Sequence, residues 1–297
     1  MPLNWKNSPA LASAAMLLVT VVWGWTFVVV QNAVGRMPVM DFLSWRFLVA
    51  ALLMLAIRPS CLKGLTWPEL WRGALLGAIL GMGYITQTYG LVYASASVSG
   101  FITGMFVVFT PLIGWLFLRK KINAQTWIAV VLATVGLGLL GLHGWKLGTG
   151  ELLTLGCALF YALHILGLGE WSSKYPLYRF ALLQVLTVAV IALLAAAPGG
   201  IALPPDSGVW MAVGVTAVLA TAGAFFVQTW VQSLVSPARI SIVMTMEPVF
   251  AGVFGVLLAG NELTARIVFG MVCVLAAMII VQLRPFARRE RVQVEDQ

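Results

Sequence analysis

Charge is scarce in this chain. Only 9% of its 297 residues are Asp, Glu, Lys or Arg while 61% are hydrophobic, whereas an ordinary soluble domain is about one quarter charged. That shortage excludes a water-soluble globular fold. Histidine is scarcer still, with two in the whole chain and no HExxH pattern to hold a metal. The three cysteines, Cys61, Cys157 and Cys273, fit neither CxxC nor CxxH spacing, which argues for buried thiols and against a disulfide framework or zinc site. No GxxxxGK[ST] loop is present to cradle a nucleotide phosphate. Long polar linkers are missing too, so nothing between the apolar runs can house a soluble domain. A net charge of +8 would suit nucleic acid if the basic residues shared a face with aromatics. They are instead scattered between apolar runs and gathered at the tail, so no nucleic acid partner is expected.

What the chain has is apolar length. A span needs about 20 apolar residues to cross about 30 Å of hydrocarbon, and ten segments qualify: roughly 10–31, 39–57, 71–93, 97–118, 125–142, 150–168, 177–197, 208–231, 238–259 and 265–283. The first run is longer than a signal-peptide core and reads as a retained span. The lipid bilayer is therefore the first expected partner. With the N-terminus cytoplasmic, the inside segments hold 14 of the 18 basic residues and the outside segments hold Arg36, Lys146 and Arg266. The positive-inside rule then places both termini inside, as in a multi-pass inner membrane protein.

Five spans followed by five spans start from opposite sides, so an internal repeat must be inverted. A gapless shift of 141 residues lays "YITQTYGLVYAS" (84–95) over "FFVQTWVQSLVS" (225–236), pairing Gln87 with Gln228, and lays "MFVVF" (105–109) over "MEPVF" (246–250). A shift of 138 pairs Arg46 with Gln184 and "WGWTF" (23–27) with "YALHI" (161–165). The expected fold is an all-α membrane protein of ten transmembrane helices in two inverted five-helix repeats, residues 1–145 and 146–297. Glycines at four-residue spacing, Gly73, Gly77 and Gly81 and again Gly100 and Gly104, read as helix-packing positions.

Several stretches in this order resemble the EamA branch of the drug/metabolite transporter superfamily: "VVWGWTFV", "DFLSWRFLVAALL", "GLVYASASVSGFITGMFVVFTPLIG", "GELLTLGCALFYALHI" and "VSPARISIVMTMEPVFAGVFGVLLAGNELT". The resemblance covers nearly the whole chain. It implies a central cavity between two inverted halves and transport, commonly export, of amino acids or other small metabolites. The fourth span departs from the family pattern, ending in "LRKKIN" where the other half has "AGNELT". The two halves are therefore not equivalent in function.

An ionisable group at the bilayer centre costs at least about 2.5–3.5 kcal/mol, so the few present must face protein or water. Glu247, directly before Pro248 in the ninth span, has two readings. It carries a proton or meets a cation, or it hydrogen-bonds backbone groups freed where Pro248 interrupts the helix. Arg46 either snorkels outward or offers a cation to the cavity, paired with Asp41 or Glu247 when empty. His164 reads as a hydrogen-bonded packing residue or a proton relay. Gln87, Gln184 and Gln228 add hydrogen-bonding capacity, and Trp23, Tyr84 and Tyr161 are the deep aromatics. These nine residues are the expected cavity, suited to a small amphipathic solute. Pro111 and Pro248, with glycines in the third, fourth, eighth and ninth spans, are expected bending points.

The expected function is secondary transport by alternating access, with Glu247 as the site of any proton coupling. No cofactor and no metal is expected. A membrane-embedded enzyme lacks a nucleophile and base pair or metal ligands here, and a non-transporting scaffold would have no use for buried Glu, Arg and Gln. A homodimer stays open as an assembly.

Overall fold

The computed structural model describes residues 9–118, 124–143, 146–234 and 243–282. Twelve helices are named here: α1 Pro9–Val34, α2 Val39–Ile57, α3 Trp67–Tyr93, α4 Ala96–Thr103, α5 Phe106–Leu118 and α6 Ala124–Gly141, then α7 Thr149–Trp171, α8 Leu177–Ala196, α9 Ser207–Ala217, α10 Ala224–Leu234, α11 Met246–Ala259 and α12 Ala265–Gln282. A two-residue antiparallel ladder, Leu142–His143 with Lys146–Leu147, joins α6 to α7. Several basic residues of the charge count lie outside the described residues, among them Arg119 to Lys121 of "LRKKIN" and the tail arginines. Trp145 and the start of the expected ninth span do so as well.

Seven helical stretches are long and apolar enough to cross a membrane, and three further apolar helices, Trp127–Leu140, Met246–Ala259 and Ala265–Ile280, are shorter. The protein is a multi-pass, all-helical membrane protein. Lipid contact explains why Leu18, Ile57, Leu194, Leu257 and Phe269 are exposed, since an apolar surface needs no cover in hydrocarbon. Threonines within the spans satisfy their hydroxyls on their own helix, as Thr20 does on the Leu17 carbonyl and Thr216 on that of Ala212 (2.7 Å each).

Helix ends follow local chemistry. Pro38 and Pro176 stand just before α2 and α8, where a missing N–H costs nothing. Ser95 caps α4 by accepting from the Val98 N–H (3.3 Å), and Asp206 caps α9 by accepting from that of Val209 (3.0 Å). Gly260, at φ +64°, supplies the left-handed residue that ends α11.

Packing brings the two parts of the chain together along their length. α3 lies along α7, α2 along α8, α6 along α12, and α1 along α11. Small residues allow the closest approaches. A Cβ on Gly24 of α1 would sit 2.5 Å from the Phe250 Cβ and 2.8 Å from the Ala251 backbone nitrogen, and one on Gly77 would sit 2.7 Å from the Gln184 carbonyl oxygen. Gly73 and Gly77 both face α8, and Gly100 and Gly104 both face Pro248, so these glycines are helix-packing positions.

The interruptions differ from expectation in one place, since α3 is a single uninterrupted helix. The α4–α5 junction breaks at Gly104, and the eighth span carries a π-helical segment, Val218–Gly223, between α9 and α10. In the ninth span residues 243 and 244 are helical, Thr245 is a turn, and α11 resumes at Met246, so the helix is interrupted three residues before Pro248, where a proline ring would meet the carbonyl of residue i−4.

Candidate functional site

One cavity, of about 560 Å³ of non-atom space counting its open mouth, lies among α1, α2, α3, α5, α7, α10 and α11. Of the nine expected residues, eight line it: Trp23, Arg46, Tyr84 and Gln87 from the first part of the chain, and Tyr161, His164, Gln228 and Glu247 from the second. Gln184 does not. It stands behind His164, accepting on Oε1 from the imidazole Nε2 (2.7 Å) while its Nε2 donates to the Phe180 carbonyl (2.9 Å). Because a carbonyl only accepts, the amide orientation follows, and His164 carries its proton on Nε2. The histidine is thus hydrogen-bonded and edge-on to Phe225, with centroids 6.1 Å apart.

Arg46 corrects the snorkelling reading. It is 3% exposed and turns inward, Nε donating to the Thr221 hydroxyl (2.9 Å) and Nη2 to the Tyr84 hydroxyl (3.3 Å). Its guanidinium lies 4.6 Å from the Tyr84 ring centroid and 5.4 Å from that of Phe47, a geometry in which ring faces attract a cation. It pairs with neither Asp41 nor Glu247, and Nη1 has no partner among the described residues.

The rings make a box. Tyr84 stands edge-on to Phe47 (4.9 Å), Tyr161 (5.8 Å) and Phe225 (6.1 Å), and Trp23 packs on Phe225 (5.9 Å). The indole N–H of Trp23 donates to the Ala220 carbonyl (2.9 Å), and the Tyr161 hydroxyl donates to Gln87, which donates to Thr103 (3.3 Å each). Both Ala220 and Thr221 belong to the π-helical segment.

Glu247 is 6% exposed and lines the cavity. Among the described residues no side chain or backbone N–H donates to its carboxyl group. The helix is interrupted at Thr245, but the bond that the helix-repair reading asks of the carboxyl is not present among the described residues. Gln228, one of the amides facing the same space, also keeps an unpartnered Oε1. Pro111 lies inside α5 and Pro248 beside the α4–α5 glycines, both outside the cavity lining. No group of three or more potential metal ligands occurs among the described residues.

Sequence reasoning passed over Thr221, the Ala220 carbonyl, Phe225 and Thr103. Phe225 had a signal, since it lies under Tyr84 in the 141-residue register. Thr221 had none, because nothing in "VLATAG" marks a π-helix.

A buried, two-sided cavity of rings and amides, enclosed by apolar helices that cross a membrane, is the architecture of a solute carrier. The comparisons agree. The model of the EamA-like transporter family matches residues 10–142 and again 148–283, and the chain belongs to that family. An uncharacterized transporter of Archaeoglobus fulgidus is 32% identical over 92% of this chain and 86% of its own. The uncharacterized inner membrane transporter YedA of Escherichia coli K12 is 25% identical over 91% and 90%. A crystal structure superposes with a TM-score of 0.68 over 92% of this chain and 96% of the other at 14% identity, a likeness of fold alone.

Proposed function

We propose that the protein is a secondary transporter of the inner membrane, with both termini cytoplasmic, that exports a small amphipathic metabolite such as an amino acid by alternating access. The observation that carries this reading is the pair of unmated charges in one ring-lined cavity. Among the described residues the Glu247 carboxyl has no hydrogen-bond partner, and Arg46 keeps Nη1 unused. A solute bearing an ammonium and a carboxylate would meet Glu247 with one and Arg46 with the other, its apolar part against the rings. An ionised carboxyl in hydrocarbon needs water, a cation or a proton beside it, so Glu247 is also the site for coupling to a proton gradient.

Ten spans in two inverted halves, 1–145 and 146–297, complete the reading. Reciprocal packing supports them, with α2 against α8 and α6 against α12 as self-paired helices and α3 on α7 answered by α10 on α1. The cavity lining supports them too. In the 138 and 141 registers Trp23 pairs with Tyr161, Thr26 with His164, Phe27 with Ile165, Tyr84 with Phe225, Gln87 with Gln228 and Phe106 with Glu247, and every member lines the cavity. Rocking the halves about such a site would expose it to each side in turn.

Uptake into proteoliposomes from a panel of amino acids, amines and nucleosides, with and without a pH gradient, tests the proposal. One class of solute should accumulate, and Glu247→Gln should abolish the response to the gradient. A Glu247→Gln protein that keeps the full pH response would remove the coupling role, and a panel with no transported member would remove the proposed cargo.

A further inference from the structure

The pairing just described does not hold for every lining residue: the partners of Arg46, Leu80 and Met244 lie off the cavity, and so do those of two residues that extend it at one end. On α1 it runs on to Val30 and on α3 to Leu91, one turn beyond Gln87. The same registers place Val30 over Leu168 and Leu91 over Gln232, and neither of those lines it. Leu168 is instead fully buried in a small apolar group with Leu76 and Phe180, separate from the main core and covered by Trp171 and Tyr175. α7 presses close there, since a Cβ on Gly167 would sit 2.5 Å from Leu76 Cδ2. Gln232 continues the buried face of α10 four residues beyond Gln228. It is 5% exposed, and both its amide atoms lack partners among the described residues. The turn Ser172–Lys174, against which α10 packs, adds a third orphan in the fully buried Ser172 hydroxyl.

Buried polar atoms without partners are costly and uncommon. An apolar plug would be served better by leucine at 232, as at 91. The amide has a use if water or the polar part of a solute reaches it in another arrangement of the helices. We infer that Leu76, Leu168, Phe180 and Gln232 form the closed gate of the bundle end that carries Glu69 and Arg179, and that Gln232 is the first hydrogen-bonding station on the cytoplasmic entry path when this gate parts. Glu69 and Arg179 tie α3 to α8 on the same end (2.7 Å), holding the gate shut. The inference rests on the inverted-repeat carrier proposed above.

The test uses Gln232→Cys and Leu91→Cys, each with Cys61, Cys157 and Cys273 replaced by alanine, in sealed membrane vesicles of both orientations. A membrane-impermeant methanethiosulfonate reagent should modify Leu91→Cys from one side and Gln232→Cys from the other. In parallel, Gln232→Leu should melt higher than the parent, having lost an orphaned amide, yet transport about tenfold more slowly, about 1.4 kcal/mol on the barrier. Modification of both cysteines from the same side overturns the gate. So does a Gln232→Cys as inert as Leu182→Cys in the core of α8, or a Gln232→Leu that transports at the parent rate. Thiol labelling needs no identified solute. An empty solute panel with opposite-side labelling therefore counts against the proposed cargo, and transport with an inert Gln232→Cys counts against the gate.

Discussion

Removing the Glu69 charge is the sharpest perturbation of the bundle's stability. Glu69 is 1% exposed and Arg179 11%, and the pair is bidentate, Nε to Oε1 and Nη2 to Oε2 at 2.7 Å each. Arg179 Nη1 donates also to the carbonyls of Lys63 (2.6 Å) and Cys61 (3.4 Å), so one guanidinium joins the start of α8 to the start of α3 and to the connection before it. Glu69→Gln leaves that fork facing one amide oxygen and one amide NH2, with a donor orphaned and the cation uncompensated. Breaking a buried pair from one side costs about 3–5 kcal/mol, and the wet Nη1 edge lowers the expected loss to about 2 kcal/mol. At about 2 °C per kcal/mol for a chain of this size, the melting temperature in detergent should fall by about 4 °C. The double replacement Glu69→Leu with Arg179→Leu should recover part of that loss, because two apolar groups desolvate without cost. A Glu69→Gln protein within about 1 °C of wild type, or a double variant that melts below it, would refute the reasoning.

Four further outcomes follow from the geometry. Pro248→Ala should change stability by less than about 1 kcal/mol, because the first turn of a helix tolerates proline without a lost bond; a larger change in thermal unfolding would mean the residue shapes the helix. Gly24→Ala should destabilise by about 1–3 kcal/mol, since its Cβ meets the backbone of α11 and not a movable side-chain tip, and an unchanged melting temperature would contradict that crossing. Trp23→Phe keeps the ring against Phe225 but loses the bond to the Ala220 carbonyl, for about 1 kcal/mol, while Trp23→Ala should cost about 3 kcal/mol or more. Asp206, whose carboxyl the Val209 N–H and then Arg36 hold below its ordinary 3.8, stabilises the fold above that value and loses its contribution as pH falls through the depressed one. Melting temperatures of wild type and Asp206→Asn should therefore converge in acid and separate towards neutrality.

The cavity was largely legible because polar residues in hydrocarbon have few places to go. Tyr84 and Gln87 share a face of α3 by spacing alone, and a span with one carboxylate directs it away from lipid. Direction along the helix was harder. The long stem of Arg46 allows both an outward and an inward course, and what decides between them is Thr221, a residue 175 positions away in sequence. Gln184 was placed in the cavity by its register with Arg46, yet it is shorter and finds His164 and the Phe180 carbonyl before it can reach the open space.

The two parts of the chain differ in charge, and on the carrier proposed above the difference bears on direction. Opposite Arg46 the register gives Gln184, and opposite Glu247 it gives Phe106. The first part of the chain therefore supplies the cationic edge of the cavity and the second the carboxyl. A symmetric box with charges duplicated in both halves would let a solute turn over as the proposed halves rock. With one pole on each half, a solute carrying both charges would keep its orientation, and parting the halves would draw its two ends toward different walls. Arg46 is anchored by Thr221 and stacked on Tyr84, whereas no donor meets the Glu247 carboxyl among the described residues, so under that proposal Glu247 would be the pole that a proton or a competing cation releases.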